Sequence, residues 1–139
     1  MWRDDLTTSV RAVLLPNGRR AIRVLRVIET QLTTDQSPLL QAMIYALLYR
    51  PTAITDEESE VMIDAVVVDL SLVHAMMRDA VSFLLNYREA CKPTETKLFL
   101  VGLRHPKVIK TIGEMQLGAC VTIMRDVNAV IESLENGHR

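Results

Sequence analysis

Charge of one sign is missing from this sequence. Its 139 residues carry 16 lysines and arginines against 17 aspartates and glutamates, for a net charge of -1. A chain so balanced does not seek nucleic acid through bulk attraction, and its partners are expected to be proteins or small molecules. Glycine is scarce as well. The five glycines stand singly, which excludes a Walker loop and a dinucleotide fingerprint. The two cysteines, Cys91 in a helical pattern and Cys120 in a strand pattern, form no CxxC motif. They read as buried free thiols of a reducing compartment, with a disulfide as the lesser alternative. No apolar run approaches the roughly 20 residues that span a bilayer. Met1-Trp2-Arg3-Asp4-Asp5 turns polar at once and lacks a signal-peptide core, so a cytoplasmic protein without membrane insertion is expected. His74, His105 and His138 are scattered, and Ser71 lacks the glycines of a GxSxG elbow. Neither an enzyme nor a cofactor or metal is expected.

What the sequence has in quantity is apolar residues, 49% of the total, with 24% charged. That suits one globular domain, residues 1 to 139, with a core of its own and a polar tail from Asn136 to Arg139. The organising stretch runs from Ala65 to Arg88. Ala65-Val66-Val67-Val68 is a β-branched run that predicts a strand buried on both faces, ending at Asp69-Leu70-Ser71. After the link from Leu72 to Met76, apolar residues at Met77, Val81, Leu84 and Leu85 follow the helical period and predict a helix packed on the sheet. In open α/β sheets, binding sites gather at the carboxyl ends of strands, which directs attention to Asp69 through Asp79.

The remaining elements fall around this unit. Val10 to Leu14 and Ala21 to Val27 flank Pro16-Asn17-Gly18, a hairpin signal. In the second of these strands Arg23 and Arg26 are expected to point outward. With Arg19 and Arg20 they form a basic cluster, read first as a solvated edge guarded against aggregation and second as a hold for a phosphate or acidic partner. Thr30 to Gln36 reads as a loop. Ser37-Pro38 starts a core helix bearing Leu39, Leu40, Met43, Ile44, Leu47 and Leu48, which stops at Arg50-Pro51. Thr52 to Asp64, with four carboxylates in a run, reads as a solvated loop. Lys92 to Thr96 is a connection, Lys97 to Val101 a buried strand closed by Gly102, and His105-Pro106 the start of a helix stopped by Gly118. Ala119 to Ile123 predicts a last strand, and Asp126 caps a closing helix with Val127, Val130, Ile131 and Leu134 on one face. Hairpin, helix and three further strand-helix alternations predict an α/β fold: a mostly parallel sheet with right-handed crossovers, an antiparallel N-terminal edge and about four helices.

Asp69 is placed like the phosphoacceptor of a receiver domain, but the acidic pair after the first strand and the late lysine of that site are missing. A different family fits better. Val66-Val67-Val68-Asp69-Leu70-Ser71 and its helix, Lys97 through Arg104, Pro106, and Leu117-Gly118 with the closing strand and helix together resemble the STAS domain of anti-sigma factor antagonists and stressosome proteins. The resemblance covers Ala65 to Leu134 by motif and the N-terminal half by element order.

The resemblance implies a protein-interaction module that works by partner switching, with an anti-sigma factor or switch kinase as partner. In the family, an Asp-Ser or Asp-Thr pair at the start of the helix carries the phosphorylated hydroxyl. That pair falls on Met77 and Arg78 here. Arg78 cannot accept a phosphoryl group, and its charge opposes the roughly -2 that phosphorylation would add. The expected partner surface comprises His74, Met76, Met77, Arg78, Asp79 and Ser82, with a methionine as adaptable apolar centre and Arg78 and Asp79 as charged rim. Asp79 also suits the positive end of the helix dipole. The alternatives are a small-molecule or nucleotide-sensing STAS domain, and a STAS subunit of a transporter-associated or other larger assembly, homo-oligomers included.

Overall fold

A computed structural model describes residues 5 to 16, 18 to 50, 52 to 54, 60 to 86 and 96 to 137. Its elements are β1 (Thr8–Leu14), β2 (Arg20–Val27), β3 (Gln31–Leu32), α1 (Ser37–Leu48), β4 (Thr52–Ile54), β5 (Glu60–Asp69), β6 (Ala75–Met76), α2 (Arg78–Val81), β7 (Lys97–Val101), α3 (Pro106–Glu114), β8 (Thr122–Ile123) and α4 (Val127–Gly137). The main sheet has the order β1-β2-β5-β7-β8. β1 is antiparallel to β2, while β2, β5, β7 and β8 run parallel. The α/β fold with its N-terminal antiparallel hairpin is therefore as the sequence predicts.

Strand alternation sorts the apolar residues into two layers. Leu25 and Val27 of β2, Val66 and Val68 of β5, and Leu98 and Leu100 of β7 face one way, against Leu40, Ile44 and Leu48 of α1, Ala80 and Val81 of α2, and Val108 and Ile112 of α3. Their neighbours Ile22, Val24, Ala65, Val67, Phe99 and Val101 face the other way, against Val130 and Leu134 of α4. Each such side chain contributes about 1.5–3 kcal/mol on burial. A strand enclosed on both faces needs the unbroken β-branched run that β5 carries.

Several expectations are corrected. Arg23 is buried at 8% exposure rather than solvated. Its guanidinium donates to the carbonyls of Leu47 at 3.1 Å, of Thr52 at 2.7 Å and of Arg50. Because β2 lies inside the sheet with β1 as its edge, an odd-numbered arginine points under the end of α1, where unpaired carbonyls gather. Burial, then the neighbouring Arg50, lowers its pKa from the usual guanidinium value.

The segment from Thr52 to Asp64 is not a loop throughout. β4 pairs antiparallel with the start of β5, beside the stretch that β7 leaves open, and β5 begins at Glu60. Residues 55 to 59, which include Asp56, Glu57 and Glu58, lie outside the described residues.

Ser37 is the first residue of α1 rather than its cap. The preceding turn closes when the Thr33 amide donates to Gln36 Oε1 at 3.0 Å. Past α3 the left-handed residue is Gln116, at φ 55°, and Gly118 sits inside a 3-10 turn. Cys120 ends that turn as a partly buried free thiol, and β8 begins only at Thr122. Cys91 and Lys92 to Glu95 lie outside the described residues. Asp126 caps α4 as expected, accepting from the Ala129 amide at 2.8 Å. The helix continues through Gly137, so Asn136 and Gly137 are helical where a tail was expected.

Candidate partner-docking site

At the carboxyl end of β5 the Asp69 carboxylate accepts the Ser71 amide at 2.9 Å, a local turn that ends the strand. Leu70 and Val73 then drop into the core. β6 pairs parallel with β3, setting Ala75 beside Gln31 and Met76 beside Leu32. The His74 amide donates to Thr30 at 2.8 Å and the Met77 amide to Leu32 at 2.9 Å. The chain thus arrives at α2 tethered on both sides of Met76.

The helix expected from Met77 onward is shorter than its apolar spacing predicts. α2 is a single turn, Arg78–Val81, followed by a 3-10 turn over Ser82–Asn86. Met77 is its extended N-cap residue, at φ -85° and ψ 144°, and is 53% exposed rather than packed on the sheet. Met76 is the reverse. At 8% exposure it belongs to the core, so it is removed from the expected surface.

Arg78 and Asp79 are exposed beside Met77, while Ser82, partly buried, ends the α turn. Arg78 pairs with Glu114 of α3 at 2.8 Å, and Lys110 lies 4.0 Å from the same carboxylate. The hydrogen bond from Arg78 is the main cause of a lowered Glu114 pKa, opposed by desolvation and aided by the Arg78 and Lys110 charges. His74 stacks on His105, with ring centroids 3.9 Å apart and planes 28° from parallel.

The structure therefore brings Met77, Arg78 and Asp79 together as an apolar centre beside charges, sets His74 at the neighbouring edge against α3, and removes Met76. Sequence reasoning missed Glu114 and His105. Both lie some thirty residues from their partners, a separation that no local spacing reports.

No protein-family model and no curated protein matches this sequence. Among solved structures, the unphosphorylated form of the anti-sigma factor antagonist SpoIIAA is 12% identical. The alignment spans 91% of this chain and 97% of that one, with a TM-score of 0.60. A serine-to-glutamate variant of RsbS from Moorella thermoacetica is 18% identical over 94% of this chain and 97% of its own, also at 0.60. The structure of SLC26A9 matches at 15% identity and a TM-score of 0.59 over 84% of this chain, which spans only 20% of that longer one. The fold is the STAS fold.

Among the described residues no helix is long and apolar enough to cross a membrane, and no group of three or more metal-binding side chains is present.

Proposed function

We propose that this chain is a regulatory docking module of the anti-sigma factor antagonist type, and that it engages a partner protein through the head of α2 without a phosphorylation switch there. The observation that carries this reading is the exposure of Met77 next to Arg78. A large apolar side chain is held in water at the N-cap of a short helix, inside a segment that otherwise buries Val73, Met76, Ala80 and Val81. An apolar centre with a charged rim is the composition of a small recognition surface.

Arg78 stands where the resembled family carries its phosphoacceptor. A guanidinium there offers five donors and no oxygen to be modified, so the contact is set by a fixed positive charge. An acidic surface on the partner suits it. The Arg78–Glu114 pair keeps that charge in place without enclosing it, since the Arg78 side chain remains 59% exposed. His74, Asp79 and Ser82 complete the proposed surface at its edges.

The test is a pull-down on the immobilised full chain alongside the variants Met77→Asp, Arg78→Glu and Lys97→Glu, the last at the opposite end of the sheet. A protein retained by the parent and by Lys97→Glu, and lost from both head variants, supports the reading. Retention by the parent and all three variants removes the head of α2 as the docking surface. Incubation of the recovered complex with ATP separates the switch from the surface: an unchanged mass supports a switchless module, and a phosphate on Ser71 or Ser82 contradicts it.

A further inference from the structure

We infer that the open edge of β1 is a second docking surface, one that takes an extended segment of a partner polypeptide carrying a carboxylate opposite Arg11. β1 is the outermost strand of the main sheet, and among the described residues no strand pairs with its far side. Exposed edges are commonly blunted by proline, by a bulge or by lysine, because their free amides and carbonyls recruit other strands. β1 has none of these. It runs Thr8-Ser9-Val10-Arg11-Ala12-Val13-Leu14, and its register with β2 is unbroken over all 7 residues.

The direction of its backbone groups follows from the two ends of that ladder. The Leu15 amide donates to the Arg20 carbonyl and the Ile28 amide to the Thr7 carbonyl, each at 2.8 Å. Odd-numbered residues therefore bond to β2, and the amides and carbonyls of Thr8, Val10, Ala12 and Leu14 point to the open side. The side chains of these even-numbered residues share the face that α1 covers, where Thr8 Oγ1 meets Met43 Sδ at 3.7 Å. Val10 and Leu14 leave 47% and 49% of their surface in water. Arg11 lies on the opposite face, exposed, and among the described residues it forms no ion pair or side-chain hydrogen bond.

Charge selects the occupant. A second copy of β1, related by a two-fold axis, would pair antiparallel, even residues against even ones, since only those have free backbone groups. Every such register that overlaps most of the strand sets the two Arg11 side chains directly opposite each other or on the diagonal, about 7–8 Å apart or closer. Like charges at that spacing oppose the pairing. A foreign strand has no such conflict. An antiparallel segment reading apolar, two unrestricted residues, acid, apolar would set its apolar side chains against Leu14 and Val10 and its carboxylate against Arg11. Main-chain bonds then supply the affinity, and the side chains supply the selectivity. This edge is separate from the head of α2 and does not rest on the docking reading.

The experiment is fluorescence anisotropy of the full chain with a labelled peptide, Ser-Thr-Val-Thr-Thr-Glu-Val-Thr-Ser, and with the same peptide carrying lysine for glutamate, combined with amide hydrogen exchange by NMR. Saturable binding of the glutamate peptide is expected, with slower exchange at the amides of Val10, Ala12 and Leu14 in the complex. Arg11→Glu is expected to weaken the glutamate peptide about tenfold and to strengthen the lysine peptide by a similar factor. Absence of saturation overturns the proposal, as do equal affinities of the parent for the two peptides or protection confined to other amides. Protection of the same three amides without peptide, with the mass of a dimer in sedimentation, assigns the edge to a second copy and overturns it as well.

Discussion

Val67 and Met77 are apolar side chains on one continuous strand-loop-helix passage. Val67 is fully enclosed between β2, β7 and α4, whereas Met77 keeps 53% of its surface in water. Around Val67 the neighbours come from distant parts of the chain and close on both faces of the sheet. Around Met77 the tethers are made by backbone: the His74, Ala75 and Met77 amides donate to the β3 strand and its approach, and the side chain is left outside. The difference separates two uses of hydrophobic residues. One set holds the sheet together, and the other is positioned by the first and stays available.

Truncations on the two sides of this comparison are expected to differ most in the core. Leu100→Ala removes a fully buried side chain from the central layer and is expected to cost about 2–5 kcal/mol in urea unfolding. A loss well under that range would mean the layer collapses to fill the gap. Arg23→Ala leaves carbonyls at the end of α1 and in β4 without their donor, for an expected cost of about 1–3 kcal/mol. The same chemical denaturation measures it, and parent-like stability would show that water replaces the guanidinium. Gly102→Ala forces a side chain into a left-handed backbone against Asp69, also about 1–3 kcal/mol.

The cap of α4 gives a pH signature. The hydrogen bond from the Ala129 amide, with the Arg125 charge, lowers the Asp126 pKa against a smaller desolvation effect. A lowered carboxyl pKa stabilises the fold fully above the usual aspartate value of about 3.9, and that contribution fades as pH falls through the lowered folded value. The urea midpoint of Asp126→Ala is therefore expected below that of the parent at neutral pH, with the gap closing in acid. A gap unchanged at the acid limit would mean that the capping charge is not its source. At the other extreme, Met77→Ala is expected to shift stability by no more than about 0.5 kcal/mol, as for surface positions without a structural role.

The sheet was legible because its signals are local and repeated. The valine run of β5, the Asn-Gly hairpin and the Lys97 to Val101 strand each specify a buried or paired strand from adjacent residues alone. Arg23 was not legible, because its burial depends on β1 covering the edge and on where α1 ends. β4 was hidden by the polar composition of the segment that contains it, and its pairing comes from a gap beside β5 that only the assembled sheet reveals. Gln116 took the left-handed position that glycine usually fills, so the stop of α3 was misplaced toward Gly118. For the candidate site, Met77, Arg78 and Asp79 are consecutive residues, so their grouping was readable in the sequence. The opposite fates of Met76 and Met77 were not, since they depend on the pairing of β6 with β3.

The head of α2 is tested most directly by calorimetric titration of the protein recovered on the immobilised chain against parent and Arg78→Glu. The affinity is expected to fall at least about tenfold on charge reversal, the equivalent of about 1.4 kcal/mol, with a thermal midpoint close to that of the parent. Equal affinity for the two proteins would contradict a docking surface centred on Met77 and Arg78.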